Sequence, residues 1–193
     1  PEVAAEYFGA PRRESEVPLV LTDGRGQGNA ALERFAQIAV LMSADHLPID
    51  FRWLASTERD VPGARAAGIV ALSCASRESV AAQLGKAWAY AECSTDNGTR
   101  DRLARAMAVG LPCIAWDHAD SRDLIRHGVT GFLCKSNADV LQFMALLIDL
   151  PALRQQIGRA AKEEAERRFC ARRVHAQMLE AYGLASETRE AAI

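Results

Sequence analysis

This 193-residue sequence lacks several features, and each absence excludes a class of protein. No apolar run reaches the roughly 18 residues that a membrane-spanning helix needs, and there is no signal-peptide pattern. We therefore expect a cytoplasmic domain, or the cytoplasmic part of a larger protein. The formal net charge is only −2, which gives no electrostatic reason to expect nucleic acid or an anionic membrane as a partner.

Metal-ligand spacings are also missing. The sequence has no Cys-x-x-Cys and no His-x-x-x-His pair, so it predicts no metal site. The cysteines are odd in number, widely separated and mostly placed in apolar runs, which favours buried thiols in a reducing compartment over a disulfide framework. They are Cys74, Cys93, Cys113, Cys134 and Cys170.

What the sequence does contain is an alternation of strands and helices. Short apolar runs bounded by turn residues predict strands, and segments with apolar residues at helical spacing separate them. This order predicts an α/β fold, namely a doubly wound, Rossmann-like parallel sheet covered on both faces, with a helical C-terminal segment. The predicted strands cover 18–22, 49–55, 68–72 and 88–91, with two more in the stretch 104–133.

The chain divides into three predicted parts. Residues 1–16 are polar and charged, which indicates a linker or N-terminal arm. Residues 17–169 contain all the predicted strands and therefore form the Rossmann-like domain. Residues 170–193 are expected to form a C-terminal helix and a frayed tail.

The first candidate site is the glycine-rich loop 24–28, which reads Gly-Arg-Gly-Gln-Gly. It follows a predicted strand and opens a helix, the position at which backbone N–H groups and the helix dipole bind phosphate. A dinucleotide site would need a third glycine where Asn29 stands and an acidic residue ending the second strand, which instead ends at Ala55 and Ser56. A tight turn that requires glycine is the other interpretation.

The second candidate site is the polar loop between the fourth predicted strand and its helix. Hydroxyl and amide side chains supply donors and acceptors there, and ligands of open parallel sheets bind beyond the carboxyl ends of the strands. A helix N-cap with a polar turn explains the same composition. The residues concerned are Ser94, Thr95, Asn97, Gly98 and Thr99.

A longer motif begins in the helix after this loop. Residues 105–112 read Arg-Ala-Met-Ala-Val-Gly-Leu-Pro, residues 123–125 read Asp-Leu-Ile, and residues 128–133 read Gly-Val-Thr-Gly-Phe-Leu. These segments resemble the C-terminal, donor-nucleotide-binding domain of retaining GT-B fold glycosyltransferases of the group 1 family. The resemblance is dense over residues 75–182, and 105–112 differs from the family's motif at one position.

The resemblance implies an enzyme that transfers a sugar from a nucleotide-sugar donor to an acceptor. It implies no metal and no separate cofactor, because such folds bind the diphosphate through backbone amides and basic side chains. The acceptor would bind to an N-terminal domain or a partner chain, without which this domain is inactive. The implied donor-binding residues are Gly24, Arg25, Gly26, Ser94, Thr95, Asn97, Gly98, Thr99 and Arg105.

Two positions depart from the family's pattern. The family has a pair of glutamates that align with Asn97 and Arg105, so neither position is acidic here. Arg105 could hold phosphate through two hydrogen bonds, and Asn97 could bind a sugar hydroxyl. Asn97 and His118, which follows Asp117, are the candidate catalytic residues. The departures leave open a catalytically degenerate binding or assembly module, with a nucleotide-sugar epimerase-like domain as a further alternative.

Overall fold

A single parallel sheet of six strands organises the protein. The computed structural model describes residues 2–43, 48–56, 64–94, 98–170 and 179. The strands are β1 (Leu19–Asp23), β2 (Asp50–Ala55), β3 (Ile69–Ser73), β4 (Ala89–Glu92), β5 (Cys113–Trp116) and β6 (Gly131–Cys134). Their order is β3-β2-β1-β4-β5-β6, which confirms the doubly wound α/β fold predicted from the sequence.

Helices connect the strands and complete the C-terminal side of the domain. Residues 76–79 read Ser-Arg-Glu-Ser, a pattern that predicts a helix N-cap at Ser76. The cap is confirmed, because the Ser76 side chain accepts a hydrogen bond from the backbone N–H of Ser79 at 3.1 Å. The helices are α1 (Ala5–Phe8), α2 (Asn29–Ser43), α3 (Arg77–Leu84), α4 (Thr99–Val109), α5 (Ala119–Leu124), α6 (Asn137–Asp149) and α7 (Pro151–Phe169).

The Gly-Leu-Pro turn of the family motif ends α4. Gly110 has a φ of +87°, a left-handed conformation that glycine adopts without a steric penalty. The backbone N–H of Leu111 then donates to the carbonyl of Ala106 at 3.1 Å, and Pro112 prevents the helix from continuing. This part of the motif therefore sets where α4 stops and β5 begins.

Two apolar layers cover the sheet, one on each face. All five residues of the central strand β1 are buried. Its Leu19 and Leu21 pack with α3, α4 and part of α7, whereas Val20 packs with α2 and α6. In β5, Ile114 and Ala115 likewise belong to opposite layers. Burial on both faces explains why the strands read as near-continuous apolar runs.

Residues 2–16 pack against the domain. Val3 and Tyr7 are each only 2% exposed, and Arg12 Nη1 donates to the carbonyl of Ala87 at 2.6 Å. The segment that we set apart as a linker or arm is thus held on the surface of the domain. A domain boundary at residue 17 stays a prediction.

The predicted C-terminal part, residues 170–193, lies almost wholly outside the described residues. Apolar residues at helical spacing over 152–169 predict an amphipathic helix before it. The observed helix, α7, begins one residue earlier and ends at the same residue. In the part of the chain that the structure describes, no helix combines the length and apolarity needed to cross a membrane.

Candidate functional site

The sheet divides at its centre. β1 and β4 are neighbours, but the chain continues from β1 toward β2 on one side and from β4 toward β5 on the other. The loops that follow these two strands therefore separate and leave a crevice beyond the carboxyl ends, the usual ligand site in such sheets. We call this the β1/β4 crevice. Both predicted donor loops, 24–28 and 93–99, begin there.

A carboxylate at the end of β1 holds two arginines. Asp23 is 2% exposed and accepts hydrogen bonds from Arg25 Nε at 2.8 Å and Nη2 at 2.7 Å. Arg105 Nη1 lies 3.9 Å from Asp23 Oδ2, and its guanidinium lies 5.9 Å from the centre of the Tyr7 ring. Asp23, with a smaller contribution from Tyr7, raises the pKa of Arg25. We call these four residues the Asp23 cluster.

The glycines of loop 24–28 meet local structural needs. Gly24 packs against the indole of Trp53, and a β-carbon at position 24 would lie 1.8 Å from Trp53 Cε2. Gly26 has a φ of +74°, which side chains disfavour. The interpretation of a tight turn that requires glycine therefore has direct support at both positions.

Most backbone N–H groups of this loop already donate within the protein. Those of Gly26 and Gly28 have no acceptor among the described residues, so an anion could bind to them. The glycine pattern predicts a loop whose backbone N–H groups bind phosphate, and only two such N–H groups are available for that role in the described structure. The existing bonds run from Gly24 to the carbonyl of Leu54 (2.9 Å), from Arg25 to Asp23 Oδ1 (3.3 Å) and from Gln27 to the carbonyl of Gly24 (3.1 Å).

A second ion pair is buried at the end of β4. Glu92, 2% exposed, accepts hydrogen bonds from Arg102 Nε at 3.0 Å, the backbone N–H of Ser94 at 3.0 Å and the Tyr90 hydroxyl at 3.2 Å. Burial raises the pKa of Glu92, and the hydrogen bond from Arg102 opposes that rise. Gln27 Nε2 lies 3.3 Å from Glu92 Oε1 and so connects the pair to the glycine loop.

The second predicted loop uses its polar groups to join β4 to α4. Ser94 and Thr99 are both buried, and Thr99 Oγ1 donates to the carbonyl of Ser94 at 3.2 Å. The half-buried Gly98 accepts a hydrogen bond from the backbone N–H of Arg102 at 3.2 Å. Thr95 and Asn97, two of the predicted site residues, lie outside the described residues.

Sequence reasoning missed four residues of the crevice: Asp23, Glu92, Arg102 and Tyr7. A usable signal was present for the two acids, because each ends a strand that is otherwise apolar. Charged residues are almost never fully buried unless they are paired, so an acid at such a position predicts a nearby cation. No comparable signal marks Tyr7, which reaches the crevice from outside the sheet.

His118 lies elsewhere along the carboxyl edge of the sheet. It precedes α5, and its Nε2 lies 3.0 Å from Ser121 Oγ. It lines a cavity of about 640 Å³ beyond the ends of β5 and β6, and the lining includes neither Arg25 nor Arg105. In the described ranges, no three His, Cys, Asp or Glu side chains are grouped so that they could hold a metal ion.

Comparison with solved structures identifies proteins that share this architecture. A glycosyltransferase from Rickettsia africae superposes with a TM-score of 0.75 at 14% identity, over 96% of this chain and 56% of that one. The C-terminal domain of the group 1 glycosyl transferase LpcC from Francisella tularensis gives 0.70 at 16% identity, over 87% of this chain and 100% of that domain. Anabaena Alr3699/HepE in complex with UDP and glucose gives 0.65 at 16%, over 94% and 53%.

These structures establish the fold and the extent of the likeness. The chain spans about half the length of the Rickettsia and Anabaena chains and the whole of the LpcC C-terminal domain. No curated protein matches the sequence. The profile of the family described as glycosyl transferases group 1 matches residues 50–151, from β2 to the first residue of α7. The chain belongs to the group 1 glycosyl transferases, and its fold is that of their C-terminal domain.

Proposed function

We propose that this domain binds a nucleotide-sugar donor in the β1/β4 crevice and forms the donor-binding half of a glycosyltransferase. The observation that supports this most directly is the meeting of Arg25 and Arg105 at the carboxyl edge of the sheet. They come from the loop after β1 and from α4, yet their guanidiniums share one carboxylate. The second carboxylate near them, Asp101, lies 4.0 Å from Arg105 and its side chain is 57% exposed, so water screens its charge. Two guanidiniums against one buried carboxylate therefore leave a positive excess where a diphosphate would bind.

Arg105 is the better candidate for direct contact with phosphate. Its side chain is 34% exposed, against 21% for Arg25, and its 3.9 Å separation from Asp23 is longer than a hydrogen bond. Arg25 donates twice to Asp23 and is therefore fixed more firmly. The N–H groups of Gly26 and Gly28, which have no acceptor in the part of the chain that the structure describes, complete the proposed anion site. The remaining proposed donor-site residues are Gly24, Ser94, Thr95, Asn97, Gly98 and Thr99.

The proposed reaction is a sugar transfer. The bond between the anomeric carbon and the phosphate oxygen breaks, and the nucleoside diphosphate leaves with the electron pair. A bond forms between that carbon and an acceptor oxygen, which loses its proton. Negative charge grows on the departing phosphate, so the positive excess of the Asp23 cluster would favour the transition state over the ground state.

The acceptor site is proposed to lie outside this domain, on an N-terminal domain or a partner chain. The chain spans 56% and 53% of the Rickettsia and Anabaena chains, which leaves room for a second domain in proteins of that kind. The Anabaena relative has been solved with UDP and glucose, and a UDP-sugar is accordingly the first donor to test. All five cysteines are unpaired, which supports the expectation of a cytoplasmic, reducing compartment.

A second candidate function is a binding or assembly module without catalytic activity. The engagement of Arg25 by Asp23 favours it, because a guanidinium that already donates twice has fewer N–H groups left for a ligand. The cation at position 105, where the family has a glutamate, favours it as well. Such a module could still bind a nucleotide, but it would transfer no sugar.

Isothermal titration calorimetry of the chain with UDP, GDP, ADP and the corresponding sugars tests the proposal. We expect saturable binding of one nucleotide class, weakened at least about tenfold by Arg105→Ala, since a hydrogen bond to a charged group contributes about 1.5–3 kcal/mol. The exposed Arg65, in a short 3₁₀ turn before β3, provides the control Arg65→Ala, which should bind normally. Absence of saturable binding by every nucleotide would overturn the proposed donor site.

A further inference from the structure

A cavity separate from the β1/β4 crevice lies beyond the ends of β5 and β6, and we call it the β5/β6 pocket. Its volume is about 640 Å³, within the range of sites that hold small molecules. Residues from β5, β6, α2 and the N-terminal ends of α5 and α6 form its walls. The lining residues used below are Arg34, Trp116, Asp117, Arg122, Lys135 and Asn137.

The β5/β6 pocket carries an excess of positive charge. Three cations, Arg34, Arg122 and Lys135, stand against a single carboxylate in its lining, Asp117. The excess is local, because the whole chain has a net charge of −2. Arg122 donates from Nη2 to Asp117 Oδ2 at 3.1 Å, so this carboxylate is committed to one of the three cations.

The other two cations have no ion-pair partner among the described residues. Arg34 Nη1 donates to the carbonyl of Cys93 at 2.6 Å, which orients the guanidinium without neutralising it. Asp139, near Lys135, accepts hydrogen bonds from the backbone N–H groups of Lys135 and Ser136 and caps α6. The charge of Lys135 helps to lower the pKa of Asp117 and that of Asp139, but among the described residues neither carboxylate forms an ion pair with its ammonium, which lines the pocket.

The same pocket has an aromatic wall. Trp116 is half-buried, packs on the α2/α6 layer and is one of the residues that line the pocket. A pyranose ring has an apolar face of C–H groups that packs on an indole, and its hydroxyls need amide and carboxylate partners at the edge. Asn137 and Asp117 line the pocket and supply such groups.

We propose that the β5/β6 pocket binds a saccharide that carries a negative charge, with its ring against Trp116 and its anionic group near Lys135 and Arg34. A simple anion site would need no aromatic wall and far less volume. This inference rests on the proposed function, because it identifies the class of sugar, a negatively charged one, that the proposed glycosyltransferase would bind. The Arg34 bond to Cys93, at the start of the second donor loop, places the pocket beside the β1/β4 crevice.

Tryptophan fluorescence of the chain measures binding directly, because only one of its three tryptophans, Trp116, lines the pocket. Trp53 is buried, and the Arg154 guanidinium lies 3.8 Å from the centre of the Trp88 ring. We expect saturable quenching by glucuronate, with an affinity at least about tenfold above that for glucose. Lys135→Ala should weaken glucuronate binding at least fivefold. The control Lys86→Ala removes an exposed lysine outside the pocket and should change nothing. Trp116→Phe should abolish the quenching while calorimetry still detects binding.

Three results would overturn the inference: equal affinity for glucose and glucuronate, an affinity for inorganic phosphate that matches that for glucuronate, or unchanged binding in Lys135→Ala. Calorimetry with UDP separates this inference from the proposed function. UDP binding should depend on Arg105 and not on Lys135. If UDP binds and glucuronate does not, only the saccharide pocket is wrong. If glucuronate binds and no nucleotide does, only the proposed donor site is wrong.

Discussion

Two ion clusters stand side by side at the carboxyl edge of the sheet, and they differ in how much water reaches them. The Glu92 side chain is fully buried, and that of its partner Arg102 is 6% exposed. In the Asp23 cluster the carboxylate is equally hidden, but the Arg25 and Arg105 side chains are 21% and 34% exposed. Cations that water can reach are also cations that a ligand can reach. The comparison favours a stabilising role for the Glu92 pair, and it supports our proposal that the Asp23 cluster binds the ligand.

The largest expected effect on stability comes from Glu92→Gln. The substitution leaves the buried charge of Arg102 without its carboxylate, and breaking a buried ion pair costs about 3–5 kcal/mol. Urea denaturation should show this loss, whereas Glu78→Gln, at an exposed position in α3, should be close to wild type. If the free energy of unfolding falls by less than about 1 kcal/mol, the Glu92–Arg102 pair does not have the stabilising role that the comparison gives it.

Asp23→Asn should destabilise the fold less than Glu92→Gln does, and it should strengthen nucleotide binding. It removes the charge from hydrogen bonds that contribute about 1.5–3 kcal/mol each, but the amide keeps part of the interaction and Arg25 can reach water. If the cluster binds phosphate, loss of the competing carboxylate should raise nucleotide affinity. Calorimetry beside the exposed control Asp149→Asn measures this, and weaker binding would indicate that Asp23 holds the arginines in the productive position.

Tyr7→Phe tests the contact that the N-terminal segment makes with the Asp23 cluster. Removal of the hydroxyl that faces Arg25 should cost about 1 kcal/mol and weaken nucleotide binding modestly. The matched variant is Tyr90→Phe, whose lost hydroxyl donates to Glu92 at 3.2 Å and accepts a longer hydrogen bond, 3.4 Å, from the backbone N–H of Asp23. It should destabilise the fold and should change nucleotide affinity less than Tyr7→Phe does. If the two variants behave alike, the division between the two clusters is wrong.

Arg105→Ala should have the smallest effect on the fold. The side chain is partly exposed and makes only long ion pairs, so we expect the free energy of unfolding to change by less than about 0.5 kcal/mol. Thermal denaturation provides the measurement. A destabilisation above about 2 kcal/mol would mean that Arg105 serves the structure, and its effect on nucleotide affinity could then not be interpreted as loss of a ligand contact.

The architecture could be predicted from the sequence because its signals are local. Apolar periodicity located the strands, and the Gly110 turn and the Ser76 cap marked the helix ends. The two loops at the crevice were also located, since parallel strands place their carboxyl ends together. Predicted boundaries of β1 and α7 differ from the observed ones by one residue.

The complete set of partners of each buried acid could not be predicted, because it depends on distance in space as well as along the chain. The Arg25–Asp23 pair is local, since the two residues are two positions apart. Arg105 reaches the same carboxylate from α4. Which acid a given arginine meets depends on strand register and helix placement, and a sequence pattern contains neither.

The packing of Gly24 under Trp53 ties two neighbouring strands together in a way that evolution would have to respect. No side chain fits at position 24 while the indole occupies the space next to it. A larger residue at 24 is compatible with the fold only if position 53 becomes smaller at the same time. We therefore expect positions 24 and 53 to covary among relatives of this chain. Relatives with a large aromatic residue at position 53 should have glycine at position 24.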